Sequence, residues 1–156
     1  MEILKYPNDI LRQVSSEVKL PLSEEDKKLL NDMFSYVKDH KDSAVGLSAI
    51  QIGVPKRMCA VRRVDGDNKF MYKLVNPRII YHSSDTATMP EGCLSVEEEH
   101  EEGIKRWKTV KVMGYDALTN KTVVITATGF NARILQHEID HMDGKLYIDY
   151  IQDKEK

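Results

Sequence analysis

The sequence predicts a mixed fold of helices and strands, with antiparallel or mixed strands around one central helix in a single domain over residues 1–156. Three observations carry this. Residues 129–144, GFNARILQHEIDHMDG, space Leu135, Ile139 and Met142, and beyond them Leu146, as the stripe of a helix packed on a core. Several runs between residues 57 and 127 alternate apolar and polar side chains, as half-buried strands do, with turn signals between them. At 156 residues the chain can bury one real core and is too short for two ordinary domains.

Composition narrows the class. Charged residues make up 31% at a formal net charge of −2, so no basic excess points to nucleic acid. The N-terminus MEILKYP has no apolar signal region, and no run approaches the roughly 18 apolar residues of a membrane span. The expected location is the cytoplasm, where Cys59 and Cys93 stay reduced rather than pair.

In chain order, Tyr6-Pro7-Asn8 signals a turn, Asp9 to Arg12 one short helical turn, and an extended link follows through Pro21. Ser23 with Asp26 three residues on resembles a capping box. Leu29, Leu30, Met33, Phe34 and Val37 then form one stripe, so Ser23 to about Asp39 is expected as an amphipathic helix. Residues 44–53, AVGLSAIQIG, are dense in small side chains, and both tight packing and a substrate wall fit them. Gln51, a lone amide in that run, must be hydrogen-bonded if buried. Strands are expected at Met58 to Val64, Phe70 to Val75 and Arg78 to Tyr81, with a turn at Asp65-Gly66-Asp67-Asn68 and a break at Asn76-Pro77. Cys59 falls in the first of these as a core thiol. The acidic run from Glu97 to Glu102 reads as a solvated loop. Thr109 to Met113 and Thr122 to Ala127 alternate again around a turn at Asp116 to Lys121. Thr128 or Asn131 would cap the central helix, Gly144 would end it, and Leu146 to Tyr150 would form a last short strand.

The central helix carries His137-Glu138-Ile139-Asp140-His141, an H-E-x-x-H pattern. Residues four apart lie about 40° apart around a helix and about 6 Å along it, so both imidazoles leave one face and can share a divalent ion. Glu138 follows the first imidazole directly and can reach a water on that ion without being a ligand, which is the place of a general base. The plain alternative is a solvated helix in which His, Glu and Asp fall in this order. A catalytic ion also needs a third protein ligand. Cys93 suits that role best in chemical type, because a thiolate binds a borderline-soft ion well and Gly92 lets the loop bend. His82 and His100, both in polar stretches, are its competitors.

Three segments together resemble the peptide deformylases: Ala44-Val45-Gly46-Leu47-Ser48-Ala49-Ile50-Gln51, Glu91-Gly92-Cys93-Leu94-Ser95, and Gln136-His137-Glu138-Ile139-Asp140-His141. Tyr6-Pro7 with Leu11-Arg12, and Asp143-Gly144-Lys145-Leu146, look like the family too, so the resemblance covers nearly the whole chain. It implies an α+β fold with antiparallel or mixed strands wrapped around the metal helix. It also implies a metal on Cys93, His137 and His141, Glu138 as catalytic acid and base, and an oxyanion met by the Gln51 side chain and the Leu94 backbone N–H. The ion implied is Fe(II), with nickel or cobalt as active replacements and zinc bound but less active. The substrate implied is an N-formyl-methionyl peptide cleaved to formate and a free amine, with transient ribosome association and no membrane. An extended peptide would pass Val45 and Gly92, come close at Gly46, and place its methionine in an apolar pocket of Val45, Phe130 and Ile134. Gln136 and Asp140 are expected to orient the ligands, with exposure on the helix surface the alternative for Asp140, and Arg106 to pair with Glu91 and brace their loop.

The match departs in places. Ala44 stands for a family glycine, Ser48 for an alanine and Ile50 for a proline or other residue, while acidic residues from Glu97 on replace a family Pro and basic substrate contact. Peptide preference is therefore expected to differ more than chemistry. Few residues follow Tyr150, so ribosome docking by a long C-terminal helix is not expected. Two rivals share features. A zincin endopeptidase would draw its third ligand from beyond the helix, and a binding module with a structural metal would need four protein ligands where three are found.

Overall fold

The computed structural model describes residues 1–64 and 71–155, with 152–155 by backbone alone. The expected turn at Asp65 to Asn68, and Phe70, lie outside the described residues. Asn8 caps the first helical turn, Asp9–Arg12, by accepting the Ile10 N–H. Ser23 starts helix α1, Glu24–Asp39, its hydroxyl oxygen accepting the Asp26 N–H at 3.1 Å. Asp26 does not complete a capping box; its carboxylate turns to Lys56 Nζ, 2.7 Å away.

Five antiparallel strands form the main sheet in the order β1-β2-β3-β6-β7. They are β1 (Gly46–Ser48), β2 (Met58–Arg62), β3 (Met71–His82), β6 (Thr109–Asp116) and β7 (Lys121–Thr128). β2 is buried throughout because it has a helix on each face. Met58 and Ala60 pack with Leu30, Met33 and Val37 of α1. Cys59 and Val61 pack with Ala132, Leu135, Ile139 and Met142 of α2, Phe130–Met142. Cys59 is thus the core thiol expected, and burial pushes its pKa well up.

The expected break at Asn76-Pro77 is instead a bulge inside one long strand. Asn76 adopts a φ of +53°, the register shifts between Val75 and Arg78, and the Asn76 side chain exchanges hydrogen bonds with both backbone groups of Val18. Three strands went unrecognised, β1 within the small-residue run and two more. β4 (Thr86–Met89) and β5 (Ile104–Trp107) pair as a separate ribbon beside α2.

α2 starts without the expected side-chain cap. Gly129 takes the capping position at φ +63°, Thr128 Oγ1 is engaged with Lys108 O and Thr109, and Asn131 Oδ1 accepts the Val64 N–H. Gly144 does follow the helix end, at φ +75°, and a Cβ there would stand 2.4 Å from Arg12 O. The final strand expected at Leu146 to Tyr150 is a helix, α3, Ile148–Glu155. Tyr147, Ile148 and Ile151 enter the core at helical spacing, and Asp149 caps the turn by accepting the Leu146 N–H while Arg12 clamps its carboxylate. The short alternation of Leu146, Ile148 and Tyr150 concealed that spacing. Among the described residues, no helix is long and apolar enough to cross a membrane.

Candidate metal centre

His137 and His141 leave one face of α2 with their Nε2 atoms 3.2 Å apart. The loop after β4 carries Cys93, and its turn is closed by the Val96 N–H donating to Cys93 O. Cys93 Sγ lies 3.4 Å from His141 Nε2, and the ligand atoms of the three residues all lie within 4.8 Å of one another. Nitrogen and sulfur ligands on a tetrahedral divalent ion stand about 3.4–3.6 Å apart, so these side chains fit such an ion with little movement. Their chemistry agrees. Glu91 Oε1 lies 2.9 Å from His137 Nδ1, and a carboxylate can only accept, so that nitrogen carries the proton and Nε2 presents its lone pair to the cluster. Burial opposes a charge on His137, but Cys93 and Glu91 outweigh it and raise its pKa; burial, then His137, push His141 well down.

Glu91 holds this arrangement. Its side chain is buried and bidentate with Arg106, at 2.8 and 2.9 Å, and accepts from Arg133 at 2.6 Å. Burial alone would raise its carboxyl pKa; Arg106 and His137 reverse that and hold it far below the usual range. Arg106 also reaches Asp140 Oδ2 at 2.5 Å, where the Tyr150 hydroxyl donates at 2.7 Å. The brace expected between Arg106 and Glu91 is therefore present, and Asp140 acts on the ligands through Arg106 and Glu91. Gln136 does not reach them. It bonds the backbone N and O of Trp107 and so ties β5 to the helix.

Glu138 lies in the core side of the cluster, 3% exposed, and burial raises its pKa. Gln51, 1% exposed, is satisfied as a buried amide must be: Oε1 accepts the Ser48 N–H at 2.9 Å, and Nε2 donates to Ser95 Oγ at 3.1 Å and reaches Cys93 Sγ at 3.7 Å. Leu94 follows Cys93, its carbonyl accepting from Lys5 Nζ at 2.6 Å. Gly46 lies against Glu138; a Cβ there would stand 2.6 Å from Glu138 Oε2, so the close approach expected of substrate is made first by the protein's own carboxylate. A cavity opens on the cluster, lined by Val45, Gly46, Gly92, Phe130 and Ile134 together with Gln51, Leu94, His137 and Glu138. The residues expected near substrate thus line one cavity.

His82 and His100 stand apart from this group. His82 is exposed and stacks on Trp107 at 3.8 Å, while His100 sits edge-on to Tyr147 and 3.9 Å from Glu102. Glu97, Glu98 and Glu102 line a different depression, with Lys5 and Tyr6, and do not touch the cavity over the cluster. Sequence reasoning missed Arg133, Ser95 and the Lys5 contact. An arginine on the apolar side of an amphipathic helix was the available signal for the first.

A family model described as polypeptide deformylase matches residues 1–156. The chain belongs to that family. Peptide deformylase 2 of Bacillus subtilis (strain 168) is 36% identical, covering 98% of this chain and 89% of that protein. A crystal structure of a peptide deformylase from Legionella pneumophila is 38% identical with a TM-score of 0.84, covering 96% of this chain and 84% of that one. The Met-Ala-Ser-bound class I type b peptide deformylase from Acinetobacter baumannii is 29% identical with a TM-score of 0.83, covering 96% and 97%. Peptide deformylases are metal-dependent hydrolases that remove the formyl group from the N-termini of nascent peptides, and this chain shares their α+β fold and carries a cluster able to hold a metal.

Proposed function

We propose that this chain deformylates N-formyl-methionyl peptides, with Cys93, His137 and His141 holding one divalent ion and Glu138 moving the proton. The observation that carries the reading is the convergence of one sulfur and two imidazole nitrogens beside a buried carboxylate on the same helix. A divalent ion there, Fe(II) in this reading and Zn, Ni or Co as substitutes, supplies the Lewis acidity that makes water a competent nucleophile near pH 7.

This chain's residues do the rest. Glu138, a stronger base for its burial, takes a proton from the attacking water and delivers it to the departing amine, which is too basic to leave without it. The Gln51 amide and the Leu94 N–H are the proposed donors to the formyl oxygen as charge builds on it, and the Gln51 amide is already oriented by Ser48 and Ser95. Val45, Phe130 and Ile134 form the methionine pocket, and the peptide runs extended past Gly46 and Gly92 as an added strand. The Met-Ala-Ser in the Acinetobacter baumannii structure supports a ligand of this kind. The cytoplasm, with transient approach to the ribosome, is the setting this implies.

Formate release from formyl-Met-Ala-Ser by protein loaded with Fe(II) or Ni(II) under reducing conditions tests the reading. Turnover is expected, with Glu138→Gln lowering kcat by about 10²–10⁴. Bound metal without formate release would replace it with a peptide-binding module, which relatives named as deformylases disfavour. Cleavage at internal peptide bonds would replace it with a protease.

A further inference from the structure

We propose that Ser48 is a positioning residue for this reaction, its hydroxyl setting the rotation of the Glu138 carboxylate; the proposal rests on Glu138 as the acid–base group. Ser48 is 0% exposed, and its Oγ lies 2.8 Å from Glu138 Oε1 and 3.1 Å from the Glu138 carbonyl oxygen. One hydroxyl proton serves one acceptor at a time, and a carboxylate is the stronger acceptor as well as the nearer. The proton therefore goes to Oε1. The other oxygen, Oε2, lies against the bare Cα of Gly46. The terminal torsion of a free glutamate is broad and roughly two-fold. Here one oxygen is engaged by Ser48 and the other fits only because residue 46 has no side chain, so the torsion is fixed and Oε2 is left for proton transfer.

Ser48 has a second hold on the site. Its backbone N–H donates to Gln51 Oε1 at 2.9 Å, which turns the amide NH₂ toward Ser95 and Cys93. One residue of β1 thus sets the angle of the proton carrier by its side chain and of the amide donor by its backbone. The two holds are separable, because alanine keeps the backbone bond and loses the other.

Ser48→Ala deletes only the hydroxyl and introduces the residue the family pattern carries at this position. In steady-state assays on formyl-Met-Ala-Ser, kcat is expected to fall about tenfold, since small misplacements of catalytic groups are costly, while KM stays within about twofold and bound metal is unchanged. A second readout needs no turnover. Ser48→Ala should lower Tm by about 4–8 °C in the parent and by less than half as much in a Glu138→Ala background, where the carboxylate is gone. Parental kcat in Ser48→Ala, or an equal Tm loss in both backgrounds, overturns the proposal. Failure of the parent to release formate would overturn the proposed function instead, and the Tm comparison would still judge the Ser48 contact.

Discussion

Replacing Glu91 with glutamine tests whether the loop bearing Cys93 is held by charge. The Glu91 side chain is 4% exposed and faces three donors: Arg106 at 2.8 Å, Arg133 at 2.6 Å and His137 Nδ1 at 2.9 Å. Glutamine keeps the shape and one acceptor oxygen but turns an NH₂ group toward a guanidinium, and leaves buried Arg106 with Asp140 as its remaining carboxylate and buried Arg133 with the Ala87 and Ile104 carbonyls. Removing one member of a buried ion pair costs about 3–5 kcal/mol, and for a chain of this size each kcal/mol is worth about 2–4 °C in Tm. The expected loss is about 10 °C, read by circular dichroism. Loss of the partner that orients a metal-binding imidazole costs about 10–100-fold in metal affinity, read by chelator competition. The pH dependence has a definite sign. The Glu91 pKa is depressed in the folded chain, so its stabilisation is present above the unfolded carboxyl value of about 4 and is lost as pH falls from there toward the folded value. The gap between parent and Glu91→Gln is therefore full at pH 7 and narrows below about pH 4. Equal melting of the two proteins at pH 7, with equal metal affinity, would refute the reasoning.

Gly46→Ala should leave the fold nearly intact, because the clashing group is the end of the Glu138 side chain 2.6 Å away, while displacing that carboxylate lowers kcat by about 10²-fold. A variant that retains full turnover would show that the carboxylate position is not critical. Thiol labelling at pH 7–8 should find Cys59, buried and with a raised pKa, unreactive in every state, whereas Cys93 reacts after chelation and is protected once metal is restored. Equal Cys93 labelling with and without metal would remove it from the ligand set.

The helices were legible where their reason is local. The Ser23 cap, the stripe of α1 and the four-residue spacing of His137 and His141 need no distant partner to be recognised. What escaped depends on partners far along the chain. Asn76-Pro77 stays inside β3 because Val18, 58 residues away, satisfies the Asn76 amide. The β4-β5 ribbon joins short, half-exposed runs whose alternation is weak, and Leu146 to Tyr150 mimics a strand until Arg12 and Asp149 fix a helical turn. In the site, side-chain type pointed to Cys93 over His82 and His100. No sequence rule could show that Ser48 meets Glu138, 90 residues on.

The chemical groups come from three separate segments, and the groups that join them are not themselves reactive. Glu91 ties the Cys93 loop to α2 and, through Arg106, to β5. Ser48 ties β1 to α2. The N-terminal arm crosses both loops, with the Leu4 N–H donating to Gln51 O, the Tyr6 N–H to Ser95 O and Lys5 Nζ to Leu94 O. Ordering one free residue costs about 1–2 kcal/mol, so a ligand on an untethered loop would give up much of its binding energy to fix itself. Here folding has already done that ordering. The cavity wall is built differently: Phe130 is 42% exposed and Val45 half-buried, and neither is a partner in the polar network. Under the proposed function, substitutions on that wall retune which peptide is preferred while Glu138 stays fixed; Ala44 lies on the wall, whereas Ile50 is buried in the core away from it.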